Sequence, residues 1–272
     1  MRPILLLPLI VFLFVLRIVA QTIPPSRTTT SDPQAIALAS QAARTLTGGT
    51  QVASAVLTGT TTRIIGPDQQ KGSVTLKAQG IGESRIDLAL SSTFSEVRDD
   101  GLGQGFWYGK DQTWHAMAFH NCQTDAAWFF PALSASLLGV SSPSTTASYI
   151  GQETREGITV QHIRISRQAS SANTGFASLL WHLSTVDFYL DAQSLLPDFI
   201  AFAAHPDNDA GTDIPAEIRL ADYRNVSGVQ VPFRVQKLVQ GSLFLDIVVS
   251  QAAINTGISD SDFVVSQGGV RP

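Results

Sequence analysis

The 272-residue sequence predicts a mainly β protein of the α+β kind: a strongly curved antiparallel sheet forming an incomplete barrel, with an N-terminal helix and a central helical insertion covering the concave face. Three observations predict it. Apolar and polar residues alternate in segment after segment, which gives a strand one packed face and one wet face. Clusters of turn-forming residues separate these segments at short spacing, as hairpins require. One apolar stretch, residues 125–139, breaks the alternation and needs an apolar surface to lie on, which the hollow of a curved sheet supplies.

At the N-terminus, Arg2 precedes an apolar run from Ile4 to Leu16, and small Ala20 stands at a cleavage position before Gln21. The pattern reads as a signal peptide over residues 1–20, with an uncleaved inner-membrane anchor as the alternative; either places the rest of the chain outside the cytoplasm. Residues 21–31, with Pro24-Pro25 and Thr28-Thr29-Thr30, form a flexible tether. A helix follows. Ser31 or Asp32 caps it, Pro33 suits its first turn, and Gln34 completes a box with Ser31. Ile36, Ala39, Ala43 and Leu46 recur on one face, and Gly48-Gly49 ends it.

Alternation marks strands at residues 73–79, 85–90, 186–190, 217–220 and 245–249, and between Val160 and Ile165 it slips phase near His162, which predicts a bulge. Turns fall at residues 80–82, 99–101 and 225–228 and at Gly241. Within residues 125–139, Phe129, Leu133 and Leu137 lie on one helical face with Leu138 beside them, Pro131 kinks the element or restarts it, and Gly139 ends it. Residues 141–148 and 166–175 read as flexible loops. One domain spans 32–265, and 266–272 is a C-terminal tail.

Removing residues 1–20 removes Arg2 and Arg17, leaving 16 basic against 22 acidic residues and a net charge of −6. That balance carries no electrostatic footprint for nucleic acid. Cys122 is the sole cysteine, so the fold stands on its core and not on an internal disulfide. Charged residues make up 15% of the chain against about 25% in typical domains, which implies a large buried surface or an internal cavity.

The sharpest chemical cluster is His115, His120 and Cys122 with Asp125 behind them, good zinc ligands by type. Their spacing fits no standard metal motif, and on a strand His115 and His120 point to opposite faces. Cys122 with any of the histidines is the only candidate nucleophile pair. No nucleophile elbow, zincin or phosphate-loop motif occurs. Residues 206–213 resemble a calcium loop in composition but lack its terminal Glu. No catalytic residue, metal or cofactor is therefore assigned. Aromatic residues gather between Phe106 and Phe130, next to the apolar stretch. Trp107, Trp114, Trp128, Phe129, Phe130, Leu133 and Leu137 are the candidates to line an apolar ligand cavity.

The C-terminal half resembles the bacterial lipoprotein-carrier superfamily of LolA, LolB and LppX. The resemblance rests on residues 222–234, Gly241, Ala253-Ile254-Asn255 and Asp260-Ser261-Asp262-Phe263. Upstream, residues 186–191 with Leu196-Pro197, and Tyr149-Ile150-Gly151 before a strand, fit the same pattern. It covers roughly residues 145–265 and consists of turn and strand signatures. It implies an incomplete barrel closed by helices, whose cavity shelters lipid chains without catalysis or cofactor. The partner it implies is a lipid or lipidated protein in the periplasm. A sensor of envelope stress that binds a partner protein on the same fold is the alternative.

Overall fold

The computed structural model describes residues 30–99, 102–169 and 174–265; the signal peptide expected at 1–20, nearly all of the tether expected at 21–31 and the tail expected at 266–272 lie outside the described residues. Helix α1 (Pro33–Thr47) begins where the capping residues place it, but Asp32 is the cap. Its carboxylate accepts the Gln34 N–H at 2.8 Å. Ser31 instead donates its hydroxyl to the Thr145 carbonyl and accepts the Ala147 N–H, tying the start of the helix to a sheet edge. Ala35, Ala39, Ala42 and Leu46 form the buried face, and the three alanines let the helix lie close on its neighbours. Gly48 ends the helix at φ 57°, and a Cβ there would stand 2.2 Å from the Gly228 carbonyl oxygen, so this C-cap has no room for a side chain.

Six strands follow: β1 (Ser54–Ile65), β2 (Asp68–Gln79), β3 (Glu83–Ala89), β4 (Thr93–Asp99), β5 (Gln104–Tyr108) and β6 (Trp114–Ala116). The insertion then carries α2 (Ala135–Leu138). Beyond it come β7 (Thr145–Arg155), β8 (Ile158–Arg167), α3 (Thr174–Leu183), β9 (Val186–Asp191), β10 (Pro197–Ala204), β11 (Ile214–Val226), β12 (Val229–Val239) and β13 (Ser242–Ile254). The 13 strands form one antiparallel sheet in the order β6-β5-β4-β3-β2-β1-β13-β12-β11-β10-β9-β8-β7. It has two free edges, β6 and β7, and is not closed into a barrel. It is nevertheless strongly curled. Strands β4 and β10 stand seven places apart, about 33 Å along a flat sheet, yet Glu96 and Phe202 line one cleft.

The hollow of the curl holds the core. Leu57, Leu76, Ile86 and Leu88 from one wing meet Ile163, Phe188, Ile218 and Ile247 from the other. The insertion, which leaves the β6 edge and returns at the β7 edge, fills the space between with Phe129, Phe130, Leu133 and Leu137. Of the two readings of Pro131, a kink or a restart, the structure has the restart: a 3-10 turn opens at Pro131–Leu133 and the four-residue α2 follows. Pro131 has no N–H to continue a helix. Ser134 then restarts one, accepting the Leu137 N–H while its hydroxyl donates to Asp125, which also accepts from Ser136.

Two further expectations are corrected. Residues 141–148 and 166–175 are not loops throughout, because β7 starts at Thr145, β8 extends to Arg167 and α3 starts at Thr174. The bulge near His162 belongs to the neighbouring strand: Tyr149 and Gly151 of β7 face Ile163 and His162, leaving Ile150 as the extra residue. Strand β8 stays regular and loses its alternation because it buries both faces, Val160 on one and Ile163 and Ile165 on the other.

A candidate ligand cleft beside the insertion

On strand β12, Val229, Val231, Phe233 and Val235 point into the core at every second position, and Lys237 takes the next place in that row. On β4, Phe94 packs against the core, and Glu96 and Arg98 continue its face. The concave face therefore changes from apolar to charged toward one end. There a cleft of about 200 Å³ opens between the sheet and the insertion, lined by these three charged residues with Trp107, Met117, Trp128 and Phe202.

Lys237 is the most unusual group in it. Burial lowers the Lys237 pKa from the ordinary lysine value; Glu96 opposes that shift and Arg98 reinforces it. Its ammonium stands 5.0 Å from the centre of the Trp128 ring, a cation–π distance. Buried Arg98 donates to the Thr124 carbonyl at the base of the insertion. The far wall is pinned with unusual completeness. The Asn121 side chain donates to the His205 carbonyl at 2.9 Å and accepts the His205 N–H at 3.0 Å, as a paired strand would. His120 meets the Pro206 carbonyl at 2.9 Å.

The seven candidate ligand residues divide into three groups. Trp107 and Trp128 line the cleft. Phe129, Phe130, Leu133 and Leu137 are buried in the core and themselves occupy the concave face. Trp114 lies on edge strand β6, its ring 5.4 Å from that of Tyr108. The His115–Cys122 cluster is dispersed. His115 turns to Asp111 at 2.6 Å and stacks on Trp107 at 4.1 Å, His120 turns to Pro206, and Asp125 staples the insertion. Cys122 is buried. Lys237, Glu96 and Arg98 were not identified from the sequence. The available signal was a lysine in the fifth slot of an otherwise apolar inward row.

No family profile and no curated protein matches the sequence. Solved structures share the fold. A domain assigned to outer membrane lipoprotein sorting in Vibrio parahaemolyticus superposes with a TM-score of 0.55 at 12% identity, over 85% of this chain and 96% of that one. A DUF1329 family protein from Desulfovibrio piger gives 0.53 at 11%, over 86% and 98%. A LolA superfamily protein from Nitrosomonas europaea gives 0.52 at 9%, over 85% and 97%. At such identities the likeness is one of fold. The chain has the LolA-type fold across both wings of its sheet, beyond the C-terminal half where the sequence resembles it. Among the described residues no helix is long and apolar enough to cross a membrane.

Proposed function

We propose that this protein is an exported, non-catalytic carrier of the bacterial periplasm that holds the acyl chain of a lipid or lipidated protein. The observation that carries this reading is the cleft itself: an apolar floor continuous with the core through Trp128 and Phe202, beside a charged end formed by Lys237, Arg98 and Glu96. That pairing of surfaces suits an anionic or carbonyl-bearing headgroup with a chain below it.

The cleft, at about 200 Å³, is smaller than the roughly 300–1,000 Å³ of ordinary ligand pockets. It takes a headgroup and the first methylenes, and a longer chain enters only as Phe129, Phe130, Leu133 and Leu137 withdraw. Exposing four such side chains costs roughly 6–12 kcal/mol, and each buried methylene returns about 0.8. The balance selects chains of about 8–15 methylenes or more. Native mass spectrometry of the chain purified from a bacterial periplasm, with lipid extraction, is expected to find a long-chain lipid. Uptake of added palmitate, but not of butyrate, follows from the same arithmetic. A clean apo mass together with no uptake of fatty acid or phospholipid would overturn the carrier reading.

A second reading has its own observation. Helix α3 leaves Phe176, Leu179 and Trp181 exposed on more than one side, apolar surface suited to a partner protein. The apo outcome would favour it.

A further inference from the structure

The loop between β10 and β11 brings together residues that lie far apart in the chain. His182 ends α3, His205 follows β10, and Asp213 precedes β11. One donor atom from each lies within 4.8 Å of the others. The Asp213 carboxylate is 3.0 Å from His182 Nε2 and 3.5 Å from His205 Nδ1. Donors bound to one tetrahedral zinc ion at about 2.0–2.1 Å stand about 3.3 Å apart. The two distances bracket that value.

An ion pair between His182 and Asp213 accounts for those two residues but not for His205. The His205 imidazole is 1% exposed. Its Nδ1 is 3.1 Å from the Thr212 carbonyl, and its Nε2 is buried with no hydrogen-bond partner. Nδ1 is the ring nitrogen that faces Asp213, so it is the donor the cluster offers; an ion there would take its lone pair in place of the contact with the Thr212 carbonyl. The position of His205 is also built rather than incidental. Asn121 holds its backbone on both sides, and Asp209 fixes the turn that presents Asp213 through the Gly211 N–H and the Thr212 hydroxyl.

The geometry points to a divalent transition-metal site of the zinc class at His182, His205 and Asp213, with its remaining position open to water. This site is independent of the carrier reading, although His205 also lines the cleft. A bound ion would join α3 to the loop that grips the insertion.

The test is a zinc titration of the full chain, freed of any affinity tag and stripped with chelator, read by calorimetry and by thermal shift. One equivalent is expected to bind and to raise the melting temperature, since a ligand specific to the folded state stabilises it. His205 is buried, so the deciding variants are His182→Ala and Asp213→Asn, at half-exposed positions. Each should weaken zinc by at least the roughly 10–100-fold that even outer-shell partners cost, while His115→Ala, whose imidazole pairs with Asp111 and not with the cluster, leaves it unchanged. No stoichiometric binding at about 100 μM zinc, a concentration at which a site of this class is filled, would overturn the proposal. So would equal affinity in wild type and both deciding variants.

Discussion

Strands β8, β9 and β10 bury residues on both faces, and the two faces are covered in opposite ways. Toward the hollow, Ile163, Ile165, Phe188, Leu190 and Ile200 meet the apolar side chains of the insertion and α1. On the outside, Val160, Tyr189 and Phe199 form a small separate cluster that, among the described residues, includes no helical side chain. Its cover is charged. The Arg155 guanidinium lies 4.2 Å from the Tyr189 ring centre and 5.2 Å from that of Phe199, while His162 stacks on Tyr189 at 4.3 Å. Arg155 pairs with Glu217, which also holds Arg219 at 2.7 Å, and Asp187 holds His162 and Arg164, each at 2.8 Å. A sheet face is thus kept dry either by a second layer or by the stems of paired ions. Only the second kind of cover responds to pH.

Three changes separate the faces, and the largest effect belongs to the inner one. Phe129→Ala removes a fully buried ring from the hollow and should cost about 3–5 kcal/mol in urea unfolding, with the same loss at pH 5 and pH 7. A loss under about 1 kcal/mol would mean that the insertion packs loosely and that the inner face is not sealed.

On the outer face, Glu217→Gln leaves Arg155 and Arg219 without their shared carboxylate. Burial would raise the Glu217 pKa, but hydrogen bonds from Arg219 and Arg155 overcome it and hold the carboxyl below its ordinary range. Asp187 follows the same pattern, with His162 and Arg164 as donors. Groups depressed in this way contribute stability that is complete above their unfolded pKa, about 4, and is lost as pH falls through the lower folded value. Partial exposure limits the cost of Glu217→Gln to about 1–2 kcal/mol at pH 7. The deficit should shrink toward pH 3; a deficit that does not change with pH would refute an ionic cover.

The smallest change has the opposite sign. Burial, with Asp191 nearby, pushes the Asp198 carboxyl up to about 6. A raised carboxylate weakens the fold as pH climbs from about 4 to about 6 and by a constant amount above that. Asp198→Asn should therefore stabilise the protein at pH 7 by about 1 kcal/mol after solvent screening, with no gain below about pH 4. A variant less stable than wild type at pH 7 would show that the carboxylate is needed where it stands.

These two faces also mark how far the sequence is legible. Val74-Leu76-Ala78 and Ile86-Leu88 bury one face only, and their alternation announces strands directly. In β8 the same rule misleads, because Val160 is apolar for the outer cluster and Ile163 for the inner core. Helix α3 escaped notice because Phe176, Ala177, Leu179, Leu180, Trp181 and Leu183 are apolar on every side and give no period. The four residues of the insertion that fill the hollow were legible as apolar, but whether they line a space or occupy it depends on how tightly the sheet curls. The cleft could have been glimpsed in Lys237. The trio of His182, His205 and Asp213 could not, since its members meet only through tertiary folding.

The strand order carries one more consequence, for the way the chain finds its shape. Among the described residues, eleven of the twelve ladders join strands consecutive in sequence, and β1 with β13 joins distant ones. Each wing is a meander whose contacts are local and need little loop closure. The single seam at the centre of the sheet brings Ala55 opposite Ile254, and its closure entropy grows only with the logarithm of the intervening length. By contact order the two wings are expected to form first and the seam at the middle of the sheet to close after them.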